Sequence, residues 1–464
     1  MKKTLFALCI FSLLCNTAFA QDAKQEKKEA AKSHLKQHFK PYGFIRNYFT
    51  YDSRESWSGT GDLYNYQPKD QKLNEYGDDL NAISTFRFLS LTTRVGLNIV
   101  DYKWRGMELG GKIEADFYSG LSTKTGQSHS LSGVAQFRLR HAYMTMAWDS
   151  LKMGKDIARI DLTLGQTWHP MAADLCDAIA LNSGAPFGPF NRSPQVRMDA
   201  RLGKYVTLTA AGLWQMQYLS TGPEGQSAEY IAYSKTPEAF LGLSVHSKGF
   251  IARVGADVLS ISPRHLGTVY DAALDKDVTV KVSDRLTTVS PFIYLQYKKG
   301  EFSFKAKSIF AESGEHMNMY GGYGVKKVNA DGSYEYTPVR HSTSWISLVY
   351  GGKVGAQEDK HPQKLQGILF AGYVQNFGTK EAIIDANNDG KSDFYYQRSA
   401  AMNRMWRLSP TLLWTVGKFQ LGCEYEITSV QYGDGKINAA NGLSENDLHW
   451  VTNHRVQLMT KYNF

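Results

Sequence analysis

The chain has 464 residues, 42% of them hydrophobic, and a formal net charge of +9. That length admits two or three soluble domains or one very large β structure. After residue 20 no segment nears roughly 18 consecutive apolar positions, which excludes membrane-spanning helices. Only Cys176 and Cys423 remain beyond that point, too few for a disulfide framework.

Residues 1–20 read as a secretory signal. Lys2 and Lys3 supply the charge, residues 5–14 the apolar stretch and Ala18-Phe19-Ala20 the cleavage site. Leu14 before Cys15 is not the small residue a lipid-attachment site requires. Residues 21–40 are charged and free of glycine and proline. Their Glu/Lys spacing suits a helix, either a solvated periplasmic leader or a short oligomerising segment.

From residue 41 to 464 the texture is tyrosine, threonine, glycine and alternation. About sixteen segments of roughly ten residues follow, the length of a tilted membrane strand. Short connections such as 103–106, 202–205, 246–249, 298–301 and 416–419 alternate with long ones at 53–85, 120–133, 169–193, 220–237, 262–284, 313–341, 377–401 and 431–448. The expected fold is therefore all-β: a transmembrane antiparallel up-and-down β-barrel of about 16 strands, with a short N-terminal helical segment. The last strand ends on Tyr462 and Phe464, an alternating terminus of the kind read by the barrel-assembly machinery.

Parity then assigns faces. In residues 137–143, Phe137, Leu139, His141 and Tyr143 share one side and Arg138 and Arg140 the other. An arginine facing lipid at mid-depth costs roughly 2–4 kcal/mol, so the charged side must face water inside the barrel. The same argument turns Arg94, Lys112, Glu114, Asp116, Arg159, Arg197, Arg201 and Arg253 inward, and with them Asp161, Asp199, Asp257, Lys305, Lys307, Arg407, Glu424, Glu426, Arg455 and Lys461. Positive charge is in excess. A low-dielectric wall would focus that field on anions, unless the arginines pair with Glu114, Asp116 and Asp199. Strands 42–52 and 364–376 show no clean phase.

The connection 169–193 is less polar than an exposed loop, and residues 171–181 have helical periodicity. Apolar loop content must be buried. The loop is expected to fold into the barrel as a constriction, with Asp174 and Asp177 facing the arginine wall, or else to pack at a subunit contact. Residues 385–393 place Asp385, Asn387, Asp389, Lys391 and Asp393 at positions one, three, five, seven and nine of a calcium-type loop, with Gly390 at six. Tyr396 stands where the bidentate glutamate would be, and Asn-Asp-Gly runs also make ordinary turns.

Several stretches resemble the DcaP-like porins of Gram-negative outer membranes: YGFIR (42–46), LTTRVGLNI (91–99), GGKIEADFYSG (110–120), FRLRHAYM (137–144), LTLGQTWHPM (162–171) and SPQVRM (193–198). The resemblance implies a homotrimer of sixteen-stranded barrels in the outer membrane. It also implies passage of small anionic solutes such as dicarboxylates along Arg138, Arg140, Arg197 and Arg94. No required cofactor, no catalysis and no nucleic-acid partner are expected. A surface-binding or adhesive barrel acting through its long loops is the alternative, and a barrel hydrolase a further one, although no serine is phased beside His141 or His454.

Overall fold

A computed structural model describes residues 37–59, 63–118, 136–153, 156–179, 184–354, 362–392, 394–397 and 399–464. The signal segment and residues 21–36 lie outside these. Phe39 and Lys40, assigned from sequence to the helical segment, belong instead to the first strand.

Sixteen wall strands follow in chain order. They are β1 (Phe39–Asp52), β2 in two pieces (Thr85–Leu89 and Arg94–Trp104), β3 (Met107–Tyr118), β4 (Gln136–Met153), β5 (Asp156–Trp168), β6 (Arg192–Leu202), β7 (Val206–Leu213) and β8 (Glu238–Ser247). The second half comprises β9 (Phe250–Ile261), β10 (Leu286–Lys299), β11 (Phe302–Glu312), β12 (Tyr334–Tyr350), β13 (Gln363–Thr379), β14 (Met402–Val416), β15 (Phe419–Tyr432) and β16 (His449–Asn463). Each pairs antiparallel with its neighbours in sequence. β1 closes the cylinder on β16, from Phe44 opposite Asn463 to Asp52 opposite Arg455. At that seam Arg455 grips both carboxylate oxygens of Asp52 at 2.8 Å inside the barrel. Closure leaves no unpaired sheet edge, the condition for strands to stand in hydrocarbon.

Connections sort by end. Apart from the connection 351–362, one end has two- or three-residue turns, where Gly203 (φ +61°) and Gly417 (φ +55°) take the left-handed conformation a tight turn demands. At the other end every connection is long. Outward side chains are apolar, and aromatics gather in two belts: Trp104, Tyr205, Tyr297 and Tyr350 near the short turns, Phe88, Phe137, Phe310 and Phe377 near the long loops. Such girdles mark the two interfaces of a membrane-spanning barrel. Tyr462 and Phe464 join the outer face at the short-turn end.

The interior is not wholly aqueous. Phe240, Phe292, Tyr294, Ile309, Trp345, Phe370, Val374 and Met405 point inward from β8 to β14. They form one buried cluster with Met171 and Phe187 of the connection 169–191 and with Met317, Met319 and Tyr320 of the connection 313–333. The expectation that apolar side chains face only lipid fails on this arc, because two loops enter the barrel and need oil to pack against. This also explains why residues 364–376 have no clean phase. Phe370 and Val374 face in and Leu369 and Tyr373 face out, so both sides of β13 are apolar.

Gly372 sits where the ring of Phe187 docks; a Cβ there would come within 2.6 Å of it. Two linked outcomes follow for denaturant unfolding in detergent. Phe187→Ala should destabilise the barrel by about 3–5 kcal/mol through the cavity it leaves. Gly372→Ala should cost about 1–3 kcal/mol by overpacking, and much less when combined with Phe187→Ala, since the two act on one contact.

Candidate functional site: a charged inner wall and an inserted loop

The wall opposite the apolar arc is built from β1 to β6. On β4 the alternation breaks once. Glu114 of β3 lies opposite His141 and Ala115 opposite Leu139, so Arg140 is the extra residue of a β-bulge. Phe137 and Leu139 face lipid before the bulge, and Met144 faces lipid after it. His141 therefore points inward and not outward as strict parity requires. It is buried, with Nδ1 3.1 Å from Thr167 Oγ1 and its ring against Trp168 and Tyr143. His454 does lie on the outer face, 2.8 Å from the Tyr425 hydroxyl.

The bulge lets Arg138 and Arg140 converge on the carboxylates of β3. Arg138 donates to both oxygens of Asp116 at 3.0 and 2.9 Å. Arg140, 2% exposed, donates to Glu114 and to Asp116 at 2.7 Å each. Arg94 stands 3.3 Å and Lys112 3.5 Å from Glu114, and Tyr42 donates its hydroxyl to the same carboxylate at 2.5 Å. This is a network of four cations on two anions, held in the wall by mutual pairing.

Toward the short turns the wall opens. Arg159 pairs with Asp161 (2.9 Å) and Glu108 (2.8 Å), and Arg201 reaches Asp161 at 3.1 Å. Arg197 pairs with Asp199 at 2.9 Å. A cavity of about 590 Å³ lies here, walled by Arg197, Arg201, Lys204 and Arg253 with Asp199, Thr207 and Ser244, and roofed by Pro170 and Ala173 of the inserted loop. Four basic side chains thus face one acid in its lining.

The connection 169–191 runs inside the barrel, fastened by inward charges. Lys307 donates to the carbonyls of Met171 and Asp174, and Glu424 accepts from the Ile179 amide at 3.2 Å. Arg407 donates to the carbonyls of Ala185, Asn65 and Tyr66, which ties this loop to the first one. Asp174 meets Arg253 on β9 at 3.0 Å and Asp177 meets Lys305 on β11 at 2.7 Å. Neither is paired with the arginines of β2 and β4, so the transverse arrangement expected from sequence is replaced by docking contacts. Only a short 3₁₀ turn, Pro170–Ala172, stands where helical periodicity was read, because buried anchors dictate the path. Residues 180–183 lie outside the described residues.

Sequence reading missed Arg192. Its guanidinium stacks between Trp168 (4.7 Å) and Phe190 (5.4 Å) near the arginine network, with no hydrogen-bond partner for either terminal nitrogen. It begins β6 on the parity that faces lipid lower down, and only the loop above it makes it internal. In the loop 380–401, Asp385 accepts from the amides of Asp389 (3.0 Å) and Gly390 (2.6 Å), and Asp389 accepts from Lys391. Asp393 lies outside the described residues.

No family model matches the chain, and no curated protein matches it in sequence. Solved structures do match its fold. The outer membrane channel DcaP of Acinetobacter baumannii superposes with a TM-score of 0.59 at 18% identity, over 92% of this chain and 97% of that one. An anion-selective porin from Comamonas acidovorans matches at 10% identity with a TM-score of 0.45, over 92% and 99%. OmpF of Salmonella typhi matches at 11% and 0.45, over 92% and 97%. With DcaP as the informative likeness, the chain has the sixteen-stranded fold of outer-membrane porins.

Burial decides which ion pairs matter for stability. Arg140→Ala removes two charge-assisted hydrogen bonds from buried carboxylates, each worth about 1.5–3 kcal/mol, and should cost about 3–5 kcal/mol in all. Arg201→Ala removes a side chain 57% exposed and should cost less than about 1 kcal/mol. Equilibrium unfolding of both variants in the same detergent distinguishes them.

Proposed function

We propose that the protein is an outer-membrane porin, a channel for passive diffusion of small hydrophilic solutes with a preference for anions such as dicarboxylates. The observation that carries the reading is the cavity under the inserted loop, where Arg197, Arg201, Lys204 and Arg253 face a space inside a lipid-facing barrel. A second cavity of about 280 Å³ on the long-loop side, lined by Trp57, Tyr66, Gln67, Pro186 and Tyr320, supports entry from the opposite face. Low-dielectric walls around an aqueous space raise the local anion concentration when basic groups predominate.

In this reading selectivity does not reside equally in all the inward arginines. Arg138 and Arg140 are largely buried and fixed on Asp116 and Glu114, so they offer a solute few free donors, although four cations on two anions keep a net positive charge behind the wall. Arg201 and Lys204, nearer water, act on solutes directly. The proposal includes assembly as a homotrimer and insertion through recognition of Tyr462 and Phe464 by the barrel-assembly machinery.

Planar-bilayer recording under a salt gradient tests the reading. The protein should form channels whose reversal potential reports anion preference. Arg197→Gln with Arg201→Gln and Lys204→Gln should abolish or invert that preference, while Arg138→Gln should change it less. A protein that inserts but carries no current excludes the channel. A triple variant with unchanged reversal potential excludes this basic wall as the selective element.

A further inference from the structure

Four ionisable side chains from four separate elements meet in one dry spot beneath the long loops. Glu238 opens β8 and Asp257 lies on β9. His169 begins the inserted loop, and His316 sits on a 3₁₀ turn of the connection 313–333. All four are at most 1% exposed. His169 Nε2 lies 2.8 Å from Glu238 Oε1 and 3.5 Å from Asp257 Oδ1. His316 Nε2 lies 3.4 Å from Glu238 Oε1 and 3.7 Å from Asp257 Oδ2.

Their hydrogen bonding does not close. Glu238 Oε2, Asp257 Oδ1 and both ring nitrogens of His316 are buried without a hydrogen-bond partner, the contacts of Asp257 Oδ1 and His316 Nε2 being ion-pair distances only. His169 is already committed: its Nδ1 accepts the Met171 amide at 3.1 Å, so its proton is on Nε2, directed at Glu238. A neutral His169 supplies no charge to offset the two carboxylates. Buried carboxylates without compensation are expensive, and so are orphaned ring nitrogens.

We propose that Glu238, Asp257 and His316 bind a divalent transition-metal ion such as Zn²⁺ or Mn²⁺, with His169 orienting Glu238 through its Nε2–H. Two carboxylates and a neutral imidazole balance a divalent charge and are a donor set such ions accept. Metal–ligand bonds of roughly 2.0–2.2 Å in a tetrahedron set ligand atoms about 3.3–3.6 Å apart, close to the separations of His316 Nε2 from its two carboxylate neighbours. An orienting hydrogen bond to a ligating carboxylate is the usual outer-shell support. The ion would clamp the root of the inserted loop and the 313–333 loop to the same two strands. It would thereby fix the height of the constriction without touching the basic cavity below.

The test uses the full-length protein, unfolded in denaturant with chelator and refolded into detergent with EDTA, Zn²⁺ or Mn²⁺. The expected result is about one equivalent of one of these metals per chain after extensive dialysis. The melting temperature should rise by roughly 5 °C or more over the EDTA sample, as ligation of the folded state alone requires. His316→Gln and Asp257→Asn should bind no metal and melt identically with and without it, while barrel circular dichroism and heat-modifiable gel migration report that they fold. His169→Gln should retain the metal at weaker affinity. Sub-stoichiometric metal with no thermal shift in the wild type overturns the proposal. So does stoichiometric metal that survives in His316→Gln. A melting temperature that follows pH between 5 and 8 but ignores both metals also overturns it, and would assign the cluster to protons alone. Because the wild-type comparison stands by itself, a variant that fails to fold does not protect the idea. None of these readouts depends on conductance.

Discussion

The cost of placing a charged side chain against hydrocarbon orders this molecule. It fixes which parity of each strand faces out, and the inward parity then gathers dozens of polar and charged groups within one cylinder. Those groups cannot be left alone either. The space between the walls is too narrow and too crowded with loops for each to be solvated, so most must find protein partners. The seam shows both demands at once: Arg455 and Asp52 face inward because lipid forbids the alternative, and their bidentate pairing joins first strand to last.

Two different solutions occupy the two sides of the lumen. From β2 to β4 the wall satisfies itself, since Glu114 and Asp116 are shared among Arg94, Arg138 and Arg140, with the bulge at Arg140 supplying the convergence. From β8 to β14 the wall is largely apolar and is satisfied by what enters the barrel. Phe187 and Met171 supply area, while Lys307 and Arg407 cap loop carbonyls that would otherwise be buried unpaired. An inserted loop needs both kinds of partner, because its side chains are oily and its backbone is not. Many inward charges that parity identifies are thus anchors for a loop and not groups that meet a solute.

Strand count, loop alternation and the outward phase were legible in the sequence because lipid imposes a period of two wherever the inside is polar. The signal fades where the inside is oily. β13 is unreadable for that reason, and β1 likewise, with Tyr48 buried inside under Ile179 and Tyr64 while Ile45 and Phe49 face out. A bulge leaves no compositional mark, so His141 was assigned to the wrong face by a single-residue shift. Loop contacts were the least legible. That Asp174 and Asp177 would engage Arg253 and Lys305 depends on the loop's path, and the path depends on pockets assembled from strands distant in sequence. The His169, Glu238, Asp257 and His316 cluster has the same character. Each member looks unremarkable locally, and only closure of the barrel brings them together.

Pairing also changes what the positive wall can mean. If every inward arginine acted at full charge, the field would scale with their number and Arg138 and Arg140 would dominate. In a low-dielectric wall the opposite ranking holds. The deepest cations need the closest anions to be tolerated, so they contribute rigidity, and their donors are taken up by protein carboxylates. The cations that remain effective are those near enough to water to survive with weaker pairing, such as Arg201 at the mouth of the basic cavity. A barrel of this construction divides its arginines by depth, with buried ones holding the shape of the wall and half-solvated ones, on the function proposed above, left to act on a solute.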